Sequence, residues 1–182
     1  KKVGLLRSEK EIELLCRASR RGERPPVFFL PALIGLAAPH WMPTARSVLF
    51  GLSRESGRED IVRAAVEGIA FRMNEIDAAM RAGTVRINRR IVSGGLSQIP
   101  YLVQFQSDLF GQPVFRSSDM ESTVRGAAFL ASEEAGETDS DHFCFSDRSD
   151  AIRPQIGSRE RRRLLDQWGR VMEWAKRGCH QP

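Results

Sequence analysis

Two adjacent glycines, Gly94 and Gly95, follow the run Arg86-Ile87-Asn88-Arg89-Arg90-Ile91-Val92-Ser93 and precede Leu96-Ser97-Gln98. A strand that stops at such a pair and opens a helix has two chemical uses. Glycine admits positive φ, and a missing Cβ lets a flat ring or a phosphate lie against the main chain. The helix that follows offers unpaired N–H groups to an anion. The stretch is neither a GxGxxG nor a GxxxxGK(S/T) motif. A plain tight turn and the floor of a ligand pocket therefore both remain open at this point.

Other reactive side chains carry less. Cys16, Cys144 and Cys179 are odd in number and widely spaced, which favours a reducing, cytoplasmic setting over a disulfide framework. His142 near Cys144 and His180 beside Cys179 lack metal-ligand spacing, so no metal site is expected. Asp60 stands at a helix start and reads as a cap. The net charge of +5 comes largely from Arg17–Arg24 and Arg159–Arg163. Glu23 and Glu160 interrupt these runs and no aromatic side chains interleave them, so they read as solvated faces rather than a nucleic-acid surface.

The elements that must position the glycines follow from periodicity. At 182 residues and 41% hydrophobic content, the chain can bury a core as one domain over 1–182. No apolar run approaches the roughly 18–20 residues of a membrane span, and no signal peptide is visible at the start. Ser8–Ala18 reads as a helix with Ser8 and Glu11 as a capping box, and 1–26 as this partial helix plus a charged connection. Val27–Leu30 and Val48–Phe50 read as short strands. The loop Ala32–Ser47 between them is rich in apolar residues, and its Trp41 is expected in the core along with Phe71, Phe105 and Trp168.

Asp60–Met80 is the clearest helix, with Val62, Val66, Ile69, Met73, Ile76 and Met80 as its inward stripe. Val85–Val92 is a strand and Ser97–Phe110 a helix that holds Pro100 in its first turn and ends at Gly111. Its Gln106 is expected to satisfy a buried backbone group. Pro113–Arg116 is a strand and Ser118–Glu134 a helix centred on Gly126-Ala127-Ala128, with Arg125 pointing to solvent. Residues 138–157 read as an irregular linker. A terminal helix over 158–178 has Leu164, Leu165, Trp168, Val171, Met172 and Ala175 inward. Strands alternating with helices give an α/β layer architecture.

Beyond the glycine pair, V-S-G-G-L-S-Q-I-P-Y-L-V-Q-F-Q-S-D-L-F-G-Q-P-V resembles the adenosine-side segment of the FGGY carbohydrate kinases, glycerol kinases in particular. Pro31-Ala32, Gly35-Leu36, Ala38-Pro39-His40-Trp41, Pro43 and Ala45-Arg46 resemble another loop of that family. Ser47–Glu67 resembles its second signature segment, and Glu121–Ala131 a further one. Four motifs in the family's order span about Val27–Ala135. The resemblance implies the C-terminal, nucleotide-binding lobe of an actin–hexokinase (ribonuclease H-like) fold, a mixed sheet flanked by helices and incomplete at its N-terminal strands. It also implies ATP with Mg²⁺ as cofactors, ADP as product, a sugar or polyol as acceptor and a cytoplasmic location.

By position, the resemblance assigns Gly94, Gly95, Ile99, Glu55 and Glu59 to the nucleotide site. Three of these depart from the family pattern. Ile99 replaces an adenine-contacting asparagine and cannot hydrogen-bond a base edge. Glu55 replaces a glycine and Glu59 an asparagine, and a carboxylate repels polyphosphate unless a cation intervenes. The family's phosphate loop, its Gly-Asp general base and its Gly-Thr-Gly hairpin are not found in the sequence, so no catalytic residue is assigned here. The expectation is a lobe inactive by itself, with an exposed sheet edge that favours homo-oligomers. The other expectation is a non-catalytic FGGY-like domain used for protein interaction or scaffolding.

Overall fold

The computed structural model describes residues 4–19, 26–83, 86–117, 121–136 and 151–178. In chain order the elements are α1 (Glu11–Ala18), β1 (Phe28–Leu30), β2 (Val48–Phe50), α2 (Arg58–Ala82), β3 (Arg90–Val92), a 3₁₀ turn (Gly95–Gln98), α3 (Pro100–Phe110), β4 (Val114–Arg116), α4 (Ser122–Glu134), β5 (Ala151–Ile152) and α5 (Ser158–Gly178). β1 and β2 pair antiparallel. β3 and β4 pair parallel through the crossover helix α3, and β5 adds antiparallel to β4. The three-stranded sheet is thus mixed, as expected, while β1–β2 is a separate ribbon.

α2 is the centre of the packing. Its Phe71 stacks on Trp168 of α5, ring planes 3° apart at 4.7 Å, and meets Phe105 of α3 edge-on at 5.4 Å. Phe71, Phe105 and Trp168 are buried, as their size predicts. Trp41 is not: it is 74% exposed. Leu36 and Met42 exchange backbone hydrogen bonds of 2.8 and 2.7 Å, which close residues 37–41 into a tip and turn Trp41 outward. The loop is tied down instead by Arg72, which donates to Ala38 O at 2.9 Å, and by His40 and Trp168, both of which meet Glu75 at 3.1 Å.

The inward stripe of α2 also differs from the apolar spacing. Val62 and Val66 are buried, but Met73 and Met80 are 42% and 47% exposed. Buried on α2 instead are Arg63, Glu67, Ala70, Phe71, Asn74 and Asp77. The helix lies against α1, α3 and β1 together, so its buried sector is wide. Glu67 and Asp77 enter it paired: Tyr101 donates to Glu67 at 2.5 Å, and Arg90 to Asp77, whereas Arg63 Nε and Nη1 make no hydrogen bond. α1 opens at Glu11 rather than Ser8, and no side chain caps it. The Glu11 carboxylate accepts from Arg7 N at 3.2 Å and from Arg58 of α2, so it holds two segments together instead of closing a capping box.

Of the strand read over Val85–Val92, residues 90–92 form β3 and residues 86–89 are irregular, while Val85 lies outside the described residues; β5 lies within the stretch 138–157. α4 begins at Ser122 and buries no residue; Arg125 is half-buried rather than fully exposed. Cys144, His142, Cys179 and His180 lie outside the described residues. α5 follows its apolar spacing, with Leu164, Trp168, Val171, Met172 and Ala175 buried and Leu165 half-buried. Among the described residues, no helix is long and apolar enough to cross a membrane.

Candidate nucleotide site

The glycine turn stands on a fixed base. At the foot of β3, Arg90 donates from Nε to Asp77 Oδ1 at 2.7 Å and from Nη2 to Oδ2 at 3.1 Å. Its Nη1 reaches Gln112 Oε1 at 2.6 Å, just beyond α3. A two-pronged bond of this kind fixes direction as well as distance. Both partners are buried, so β3 is pinned to α2 and to the end of α3 before the chain turns. At its other end, Ser117 N donates to Val92 O at 2.8 Å, and the Ser93 and Ser122 hydroxyls meet at 2.5 Å, which ties the turn to the start of α4.

The chain then reverses at Gly94, with φ +83° and ψ 179°, a conformation that only glycine adopts readily. Ser97 locks it: its hydroxyl donates to Gly94 O at 2.7 Å and its amide at 3.1 Å. Ile99 ends the 3₁₀ turn, and Pro100 occupies the first position of α3, where its missing N–H costs nothing. Gly95 has no positive φ, and a Cβ built on it, or on Gly94, meets nothing within 4 Å. Fold geometry therefore accounts for glycine at 94 but not at 95.

The first amide of α3, that of Tyr101, is not free for an anion. Glu13 of α1 accepts from Tyr101 N at 2.8 Å and so places a carboxylate on the positive end of that helix. An approaching phosphate would compete with it. The turn offers instead an open backbone surface at Gly94-Gly95, suited to a flat ring or a sugar edge.

The acidic pair sits on a second segment. Glu55 is exposed in the turn Ser53–Ser56, where Ser53 N donates to Ser56 Oγ at 2.9 Å and Glu55 N to Ser53 Oγ at 3.2 Å. Glu59 lies half-buried in the first turn of α2, its carboxylate folded over Gly57. Asp60 caps that turn as expected: it accepts from Gly57 N at 2.9 Å, and Ser19 donates to its other oxygen. Gly94, Gly95 and Ile99 thus share one turn, while Glu55 and Glu59 belong to another. α1 touches both segments, through Glu11–Arg58 at α2 and Glu13–Tyr101 at α3. Ile99 is half-buried and packs against the core, an apolar role consistent with its departure from asparagine.

Two environments shift titrations near α1. The backbone N–H of Arg7, together with Arg58, lowers the Glu11 pKa. Burial, with help from Glu67 and Glu13, pushes the Cys16 thiol up to about 12. No group of three or more His, Cys, Asp or Glu side chains placed to hold a metal occurs among the described residues.

Beside the turn lies a cavity of about 310 Å³, lined by Ile69 and Met73 of α2, Ile91 to Ser93, Leu96, Ser97, and Leu102 and Gln106 of α3. Gln106 is 6% exposed and its Oε1 has no hydrogen-bond partner, so it does not satisfy a buried backbone group through that atom. Sequence reasoning missed Ser97, Asp77 and Glu13. Asp77 had a signal: Glu67, Asn74 and Asp77 recur on one helical face at spacings of seven and three. Glu13 had none, since its partner Tyr101 is 88 residues away.

Residues 4–134 match the FGGY family of carbohydrate kinases, C-terminal domain. The chain is 43% identical over 135 residues to a glycerol kinase of Alkalilimnicola ehrlichii, covering 74% of this chain and 27% of that protein. It is 37% identical over 177 residues to a glycerol kinase of Acinetobacter baylyi, covering 96% and 35%. Among solved structures, a glycerol kinase of Plasmodium falciparum with ADP matches with TM-score 0.76 and 29% identity over 96% of this chain and 35% of that one. A xylulose kinase of Lactobacillus acidophilus, at 22% identity over 93% of this chain and 36% of that one, shares the fold with TM-score 0.74. The chain spans about a third of the length of the curated relatives it matches.

Proposed function

This chain belongs to the FGGY family of carbohydrate kinases, and from that premise we propose that it is a C-terminal lobe that binds ATP with Mg²⁺ at the Gly94-Gly95 turn. Residues 1–182 act in this reading as one domain of a glycerol-like kinase working in the cytoplasm. When bound, ATP supplies the γ-phosphoryl group for a sugar or polyol hydroxyl, and ADP leaves. The observation that carries the reading is Gly95. Its backbone is ordinary and its Cβ direction is empty, so the fold itself has no use for glycine there. A ligand ring lying on the main chain does.

The residues divide the work. Gly94 makes the reversal and Gly95 keeps the surface flat, while Ser97 and the Arg90–Asp77 pair hold both in place. Ile99 packs beneath rather than bonding to the base. Glu13 on the Tyr101 amide steers phosphate away from that helix end. Glu55 and Glu59 add negative charge on the other segment, which Mg²⁺ travelling with the phosphates offsets. Phosphoryl transfer rests on positioning and charge together with a base for the acceptor. The sequence holds no Gly-Asp pair to supply that base, so the isolated chain is expected not to transfer phosphate.

Calorimetric titration with ATP–Mg²⁺ tests the reading. Binding in the millimolar range or tighter is expected, and it should vanish in Gly95→Val while the circular dichroism spectrum stays unchanged. Glu55 and Ile99 favour one other reading, a non-catalytic domain used for interaction or scaffolding. Absence of any ATP binding by the unmodified chain would support that reading and sink the first.

A further inference from the structure

A line of side chains between α2 and α3 joins the glycine turn to the stretch that carries Glu55 and Glu59. Tyr101 stands two residues after Ile99, at the start of α3. α1 holds its amide through Glu13 at 2.8 Å, and α2 holds its hydroxyl through Glu67 Oε1 at 2.5 Å. One turn back along α2, Arg63 Nε lies 3.7 Å from that same Glu67 oxygen, and its Nη2 lies 3.9 Å from Asp60 Oδ1. The other Asp60 oxygen accepts from Gly57 N at 2.9 Å, next to Glu59. Asp60, Arg63 and Glu67 are all buried. The two Arg63 contacts are too long for hydrogen bonds, and its Nε and Nη1 make none elsewhere. Charge, rather than a two-pronged bond, therefore seats the guanidinium between the two carboxylates. Solvent screens buried charges weakly, so a displacement of either carboxylate is felt at the other.

We propose that Tyr101 is a positioning residue: through Glu67, Arg63 and Asp60 it couples the glycine turn to the Glu55–Glu59 segment, so that the two segments shift together. A movement of the start of α3 carries the Tyr101 hydroxyl and draws on Glu67. Arg63 follows the carboxylate charge, and Asp60 passes the shift to the Gly57 amide that it holds. The Arg90–Asp77 pair does a different task, since Asp77 lies towards the other end of α2 and does not reach its first turn. α1 offers a second route between the segments, through Glu11–Arg58 and through Glu13 on the Tyr101 amide. A phenylalanine at 101 keeps that amide contact and removes only the hydroxyl, so the two routes are separable. The use of this coupling in nucleotide binding rests on the reading above; the coupling itself does not.

Amide hydrogen exchange of the full chain, followed residue by residue by nuclear magnetic resonance, tests this. The Gly57 amide reports on Asp60, and the Ser97 amide, which donates to Gly94 O at 3.1 Å, reports on the turn. In Tyr101→Phe without nucleotide, the Gly57 amide should exchange about tenfold faster, within the range for residues of one polar network, while the amides of α5 keep their rates. Arg63→Met removes the middle of the line and should add nothing at Gly57 to the effect of Tyr101→Phe, because both break the same path. With ATP–Mg²⁺, Tyr101→Phe should bind about threefold or more weakly and lose the ligand-induced protection at Gly57 while keeping it at Ser97. Three results overturn the proposal: Gly57 exchange unchanged in Tyr101→Phe; α5 amides that speed up as much as Gly57, which means a general loss of stability; or an effect produced by Glu13→Gln and not by Tyr101→Phe, which puts the path through α1. If the unmodified chain binds no ATP, the nucleotide reading falls alone, and exchange at Gly57 still decides the coupling.

Discussion

At the scale of single residues, the two glycines answer to different constraints. Gly94 is needed by the backbone, since its φ of +83° is a left-handed value, whereas Gly95 is not. The sequence showed the pair but could not separate the two, because φ depends on how β3 and α3 are set relative to each other. What sets them is the buried Arg90–Asp77 pair, 13 residues apart in sequence and invisible to any local pattern. Removing one partner of a buried pair leaves the other charge unpaired, at a cost of about 3–5 kcal/mol. Asp77→Ala is therefore expected to lose stability of that order in urea unfolding, and to weaken nucleotide binding by loosening the foot of the turn. A loss below about 1 kcal/mol would show that Gln112 and solvent satisfy Arg90 without it.

At the scale of elements, helix and strand positions were largely legible because their periodicities are local. β1, β2, β4, α3 and α5 lie where the spacing puts them. The inward face of α2 was not, because several partners bury it and polar residues join the sector. Gly68 records the closest of these approaches: a Cβ there would come within 2.3 Å of Phe29 O on β1. Two effects then compete in Gly68→Ala. Helix propensity favours alanine by about 1 kcal/mol, and overpacking against backbone costs about 1–3 kcal/mol. Since the contacted atom is a main-chain oxygen that cannot rotate away, the second should win. Chemical denaturation is expected to show a net loss, and a net gain would mean that α2 can lift off β1 at little cost.

At the scale of the whole molecule, the four resembling motifs made the family legible in sequence, while the turn's occupancy was not, because Glu55 and Ile99 depart from the pattern that carries it. The buried Cys16 connects core and solution conditions. Its thiol, pushed from the usual 9.0 to about 12, stays protonated in the fold after the unfolded chain has ionised. Stability from this group is intact below pH 9.0 and falls as pH rises towards about 12. With Cys144 and Cys179 changed to serine, the remaining thiol should resist labelling at pH 8 until denaturant is added. Rapid labelling of the native chain would show that α1 opens readily.

The separation of β1–β2 from β3–β4–β5 also shapes how the molecule comes apart. No described ladder joins the two sheets, so a disturbance in one reaches the other only through the helices. The path runs from β1 to α2 at Gly68, from α2 to α3 at Phe71 and Phe105, and from α3 to β5 at Ser107, whose hydroxyl donates to Ile152 O at 2.8 Å. α2 is thus the relay of cooperativity. While it holds, either sheet can open and reclose locally; once it lets go, β1 keeps its contact with α5, and β4 and β5 keep theirs with α3, but the two sheets lose the element that packs most extensively between them.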